Sequence, residues 1–182
     1  ITTVHSRSLA RLREDIVPSY ASRNIEKAQL YCHQYGGVRS YGDYRAALDD
    51  PAVDAVVIAV PPHLHLPLTL EALAAKKHVL VEKPAFPRLV DFERAKIAGT
   101  QAGRIVLVGE NDHYKPLAVC LRRLLADGAI GEMVLAHFTT LVKKFKSADD
   151  WRNDEAIAGG DAFFEEGIHW LHLANSLGPK IV

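Results

Sequence analysis

Two stretches carry side chains able to move a proton on or off an oxygen. The first is Glu82-Lys83-Pro84, which closes an apolar run. A lysine fixed from behind by a proline can orient a substrate oxygen or favour loss of its proton. A solvated strand-end lysine is the plain alternative. The second is Glu165 and His169, spaced i, i+4 in a stretch that reads as a helix, so the two share one face. A carboxylate beside an imidazole can hold its tautomer. The other histidines are weaker candidates. His63 and His65 stand at i, i+2, a sparse pattern for metal ligands. His65 reads better as a residue that caps or packs the turn before a helix. His169 and His172, with Glu165 and Glu166 beside them, do not match the His-Glu-x-x-His spacing, so no metal is expected.

The elements that must position these groups centre on Asp54 to Pro84. Val53 and Ala55 to Val60 form a nearly continuous apolar run, as a strand buried on both faces would. Pro61-Pro62 ends it. Leu66 to Lys76 reads as a helix with Leu66, Leu70 and Leu73 on one face, and His78 to Val81 as the next strand. A crossover helix between two strands implies parallel pairing. Ligands of an open α/β sheet bind beyond the C-terminal ends of its strands. That places Pro61, Pro62 and His63 on one rim with Glu82 and Lys83.

The remaining elements follow in order. Helices are expected over Ser6 to Glu14, Ile25 to Tyr35, with Gly36-Gly37 closing it, and Tyr41 to Leu48. A short strand over Asp15 to Ser19 continues through Tyr20 and Ala21 to a polar end at Ser22-Arg23. Phe86 to Ala98 reads as a helix and Arg104 to Val108 as a buried strand. Pro116 to Asp127 is an amphipathic helix and Ala162 to Leu173 the helix that carries Glu165 and His169. Met133 to Val142 is expected to start a further β element. Lys143-Lys144-Phe145-Lys146 is a small basic cluster, read as a strand end or a loop facing an anionic substrate rather than nucleic acid.

Bulk composition narrows the class. Of 182 residues, 48% are hydrophobic, enough for a real core, and acidic and basic residues balance at 22 each. That balance points to no nucleic-acid or anionic-membrane partner. The longest apolar run is too short to span a bilayer, and the N-terminal residues lack the apolar core of a signal peptide. Cys32 and Cys120 lie far apart in predicted helices and read as free thiols of a cytoplasmic protein.

Four segments together resemble the glucose–fructose oxidoreductase / inositol dehydrogenase / rhizopine catabolism (Gfo/Idh/MocA) family. They are Tyr41-Gly42-Asp43-Tyr44 with Leu48 to Pro51, Val53 to His65, Ala72-Leu73 with Lys77 to Pro84, and Gly159-Gly160 through Gly167-Ile168-His169. The resemblance implies an NAD- or NADP-dependent oxidoreductase. Such an enzyme transfers a hydride between nicotinamide and a hydroxyl or carbonyl carbon of a sugar, cyclitol or related polyol or keto-sugar. It implies an α/β fold: a Rossmann-type parallel sheet over residues 1–109, then the start of a second α/β domain over 110–182 with a mainly antiparallel open sheet. A homodimer or homotetramer is the expected assembly. The first strand and its glycine-rich turn are expected to be missing, since Ser6 to Glu14 contains no glycine, and both ends read as cut.

Carried over by residue, Lys83 and His169 are the catalytic pair. Glu165 stands where the family has Asp, four residues before the histidine, as the group that orients or charge-balances it. Glu166 occupies a position that is usually apolar. Ser22, Arg23, Pro61, Pro62, His63, His65, Glu82 and Lys83 would face the cofactor. Asn111, Tyr114, Trp151, Arg152 and His169 would face the substrate. Ser22 and Arg23, with no carboxylate at that strand end, lean towards NADP over NAD, because Ser or Arg accommodates a 2′-phosphate. Two other readings stay open: a dinucleotide-binding sensor or regulator without catalysis, and a lyase or glycosidase that uses its cofactor transiently.

Overall fold

The computed structural model describes residues 1–139, 141, 147, 149–160 and 163–178. They fall into two units. The first comprises Ile1–Ala59, Pro67–Leu80 and Ala95–Val106; the second comprises Val60–Leu66, Val81–Arg94 and Leu107–Val182.

The first unit opens with α1 (Thr2–Leu9), β1 (Tyr20–Ala21), α2 (Ile25–Tyr35), β2 (Ser40–Tyr41) and α3 (Tyr44–Asp49). Local chemistry sets these boundaries. Asn24 caps α2 by accepting from Lys27 N at 3.1 Å, and Gly36 ends it in the left-handed region at φ 68°. Asp43 caps α3 by accepting from Ala46 N at 2.7 Å. That cap starts the helix at Tyr44, so Tyr41, expected inside a helix, belongs instead to β2. Strands β1 and β2 pair in parallel, Tyr20 opposite Ser40 and Ala21 opposite Tyr41.

β3 (Ala55–Ile58), α4 (His65–Ala74), β4 (His78–Glu82), α5 (Leu89–Ala102) and β5 (Val106–Gly109) follow as two strand–helix–strand units. The three strands form one sheet in the order β3-β4-β5. His78 N donates to Asp54 O at 3.0 Å, and Val79 N to Ile105 O at 2.9 Å. Ile58, Ala72, Leu73, Val79 and Ala95 are buried. Val57 is 42% exposed, so β3, an edge strand, is not covered on both faces as its composition suggested. Asp50 secures the approach to β3. Its carboxylate takes the Tyr41 hydroxyl at 2.7 Å, Ala52 N at 2.8 Å and the Arg39 guanidinium. Lys77 Nζ donates to its backbone oxygen at 2.8 Å.

The second unit contains α6 (Pro116–Ala126), α7 (Glu155–Ala158), a wide π turn at Phe163–Gly167 and α8 (Ile168–Leu177). It differs from expectation in its sheet. Both described sheets are parallel, and the antiparallel open sheet expected beyond residue 110 is not found among the described residues. Residues 131–139, apolar enough to be a strand, have no regular structure; Val134 is 94% and Leu135 85% exposed. A strand needs a neighbour for its N–H and C=O groups, and no described residue pairs with this stretch. The basic cluster Lys143 to Lys146 and the first residue of the helix expected at Ala162 lie outside the described residues.

Candidate active site

Two turns and one helix of the second unit bring the site together. The first turn follows β3. Pro61 and Pro62 stop the strand, and a single 3-10 turn over Pro62–Leu64 leads into α4. His65 holds this turn. It is 1% exposed, with Nδ1 at 2.9 Å from Pro84 O and 3.1 Å from Ala85 O, and Nε2 at 2.8 Å from Val60 O. Both ring nitrogens are thus engaged by backbone carbonyls. The imidazole ties the end of β3 to the segment just after Lys83. His63, two residues earlier, is exposed.

The second turn follows β4 and carries Glu82-Lys83-Pro84. Glu82 is buried, and its Oε2 accepts from Lys83 N at 3.1 Å. The Lys83–Pro84 bond is cis. Lys83 Nζ donates to Glu165 O at 2.8 Å. An ammonium has three donors, and this is its one hydrogen bond among the described residues.

The helix supplies His169. The chain reaches it through Gly159, at φ 80°, and Gly160, where a Cβ would lie 2.7 Å from Phe164 Cβ. The π turn Phe163–Gly167 then opens the helix; such wide turns recur at functional sites. Gly167 has equally little room, since a Cβ there would lie 2.7 Å from the Phe163 ring. His169 is 8% exposed, and its Nδ1 lies 2.6 Å from Glu110 Oε1 and 2.9 Å from Oε2. Asp112 Oδ1 stands 4.0 Å from the same nitrogen and is held by Lys115 Nζ at 2.7 Å. One helical turn further on, His172 Nε2 meets His113 Nδ1 at 3.1 Å.

Glu165, expected beside His169, offers its backbone oxygen to Lys83 and its Oε1 to Arg152 Nε at 3.2 Å. Arg152 also bonds Asp150 and stacks over the Trp151 ring, 4.4 Å from its centroid. Trp151 and Arg152 therefore join the carboxylate side of the π turn. Asn111 and Tyr114 do not turn inward: both are exposed, Tyr114 by 76%, and Tyr114 lies edge-on to His113. In the first unit, Ser22 sits just past β1, its N donating to Tyr41 O and its hydroxyl accepting from Asn24 N at 3.2 Å; Arg23 is exposed.

The carboxylates of Glu110 and Asp112 are the groups sequence reasoning passed over. A signal existed. Glu110 follows Gly109 at the C-terminal end of the third parallel strand, the rim position already occupied by Lys83 on β4. Gly109 suits a close approach there, because a Cβ would lie 3.3 Å from Glu82 Oε1. Glu110, Asp112 and His169 offer three ligand atoms within 4.8 Å of one another, a spacing compatible with a cation. In the structure those atoms serve the Nδ1 and Lys115 bonds instead.

The chain belongs to the GFO/IDH/MocA oxidoreductase family: the family's NAD-binding Rossmann fold matches residues 2–110 and its C-terminal domain residues 119–182. Among curated relatives, 1,5-anhydro-D-fructose reductase of Ensifer adhaerens is 32% identical, over 84% of this chain and 46% of the relative. The aldose–aldose oxidoreductase of Caulobacter crescentus, solved with glycerol, superposes with a TM-score of 0.76 at 29% identity, over 89% of this chain and 49% of that one. A levoglucosan dehydrogenase solved with NADH and levoglucosan gives 0.73 at 27%, over 86% and 44%. The chain spans about half the length of the curated relatives it matches. No helix among the described residues is long and apolar enough to cross a membrane.

Proposed function

We propose that this chain carries the reactive rim of an NAD(P)-dependent oxidoreductase that interconverts a hydroxyl and a carbonyl on a sugar, cyclitol or similar polyol. One observation carries the reading. The Lys83 ammonium is bonded to Glu165 O, in the π turn that opens the helix of His169. Relatives acting on anhydrosugars and aldoses support the substrate class.

The donor set suits the reactive end of a nicotinamide cofactor and its substrate. Lys83 retains two N–H donors, and His169 Nε2 has no partner among the described residues. When bound, a nicotinamide dinucleotide supplies the two-electron chemistry. The chain's own groups handle the proton and the charge. Lys83 donates to the substrate oxygen and stabilises its developing negative charge. His169 takes the hydroxyl proton on Nε2 in the oxidation direction and returns it in reduction. Pro61, Pro62 and His63 wall the cofactor side, with His65 holding their turn. Trp151 and Arg152 shape the substrate side.

Ser22 and Arg23, with no carboxylate at that strand end, favour NADP over NAD. The free thiols Cys32 and Cys120 accord with the cytoplasm. Exposed apolar residues such as Leu117, Val134 and Leu135 accord with a homodimer or homotetramer, and the balanced charge with the absence of a nucleic-acid partner. We place the domain boundary between residues 109 and 110.

The test is turnover of Lys83→Ala and His169→Ala in the whole protein on a panel of polyols and keto-sugars, with NAD and NADP titrated separately. Loss of a positioned acid–base group lowers kcat by about 10²–10⁴. Near-native turnover in both variants would sink the assignment, and tighter NAD binding would reverse the cofactor preference.

A further inference from the structure

Glu110 and His169 are 9% and 8% exposed, and both Glu110 oxygens face the one ring nitrogen. Asp112 N donates to Glu110 Oε1 at 3.0 Å, so the carboxylate is itself held by the turn that follows β5. We infer that Glu110 is the positioning residue of His169: it fixes the Nδ1–H tautomer and leaves Nε2 as the bare nitrogen that exchanges a proton with substrate. This inference rests on the reading of His169 as the proton acceptor.

An ionised carboxylate has no hydrogen to give. A ring nitrogen between its two oxygens must therefore carry the proton. In a neutral ring with Nδ1 protonated, the lone pair lies on Nε2. The opposite tautomer would put an N–H there, and the ring could not accept a proton. The helix-spaced carboxylate does not supply this hold: Glu165 Oε1 accepts from Arg152 Nε. A cation between Glu110, Asp112 and His169 would have to displace both the Nδ1 proton and the Lys115 ammonium, which already sits 2.7 Å from Asp112 Oδ1.

The decisive variant is Glu110→Leu in the whole protein. It removes both oxygens that face Nδ1, and the nearest remaining acceptor, Asp112 Oδ1, stands 4.0 Å away, so the proton is no longer held on Nδ1 and the ring takes up Nε2–H. Ring ¹⁵N spectra of histidine-labelled protein report the tautomer directly. The expected result is Nδ1–H in the wild type and Nε2–H in Glu110→Leu. With it, kcat falls by about 10²-fold or more, since a wrong tautomer can cost up to about 10⁴, while cofactor Kd and substrate KM stay within about threefold. Glu110→Gln, whose amide oxygen can keep the place of Oε1, 3.0 Å from Asp112 N and 2.6 Å from Nδ1, retains Nδ1–H and recovers at least part of kcat.

Nε2–H in the wild type overturns the inference, and this measurement needs no variant to fold. An unchanged tautomer and unchanged kcat in Glu110→Leu overturn it as well. The two levels separate cleanly. If His169→Ala is inactive and Glu110→Leu is not impaired, only the positioning role falls. If His169→Ala is fully active, the assignment of the base falls, whatever the tautomer.

Discussion

His65 is the position where stability and catalysis should fail together. Its buried ring faces three backbone carbonyls, Val60 O, Pro84 O and Ala85 O, at 2.8–3.1 Å. Carbonyl oxygens only accept, so the imidazole must donate to at least one of them. In His65→Leu that carbonyl stays buried without a donor. The lost bond is worth about 1 kcal/mol and the unmet carbonyl about 1–3 kcal/mol, so the expected cost is about 2–4 kcal/mol. With a urea m-value of about 2 kcal/mol/M, the denaturation midpoint should fall by about 1–2 M. Two further variants locate the working proton. The amide nitrogen of His65→Asn lies near the place of Nδ1 and can serve Pro84, whereas that of His65→Gln lies near Nε2 and can serve Val60. Whichever restores the midpoint identifies the donating nitrogen. Lys83 directly precedes Pro84, so the same loosening should lower kcat, because a misplacement of about 1 Å can cost about 10² in rate. A His65→Leu midpoint equivalent to less than about 0.5 kcal/mol of change, typical of an uncoupled surface site, would refute the reasoning.

Two other outcomes follow from the geometry. Hydrogen bonds from Ala52 N, Tyr41 and Arg39 hold the Asp50 carboxyl down from 3.8 to about 2. Because the folded value is depressed, Asp50 contributes stability above about pH 4 that is lost as pH falls through about 2. Thermal midpoints of Asp50→Asn should therefore lie below the wild type at pH 6 and converge with it near pH 2; a constant offset across that range would count against the pairing. At Gly160, a Cβ would lie 2.7 Å from Phe164 Cβ. Gly160→Ala must displace Phe164 within the π turn, at about 1–3 kcal/mol for overpacking. Its kcat should fall more than its cofactor affinity, and unchanged thermal stability and kcat would show that the turn has slack.

The parallel core was legible because its signals are local. Apolar runs, a crossover helix and a terminating proline or glycine mark β3, α4 and β4 within a few residues, and Asn24 with Gly36 brackets α2 at both ends. The β element expected over Met133 to Val142 is not found in its described residues, 133–139 and 141, for the complementary reason. Its β pattern is real, but a strand exists only through a partner, and the pattern does not say where the partner is. The site divides in the same way. Lys83 and His169 stood out by type and spacing, whereas the carboxylate on His169 is 59 positions away at Glu110. Helical spacing pointed to Glu165, four residues before the histidine. Yet at i, i+4 two side chains lie on one face without being obliged to bond, and a nearby arginine competes for the carboxylate. Arg152 takes Glu165 Oε1, and the end of β5 brings Glu110 to the ring. Periodicity within one element can name the face on which a histidine sits. Its orienting partner comes from whichever strand end the sheet brings alongside, which is a property of topology.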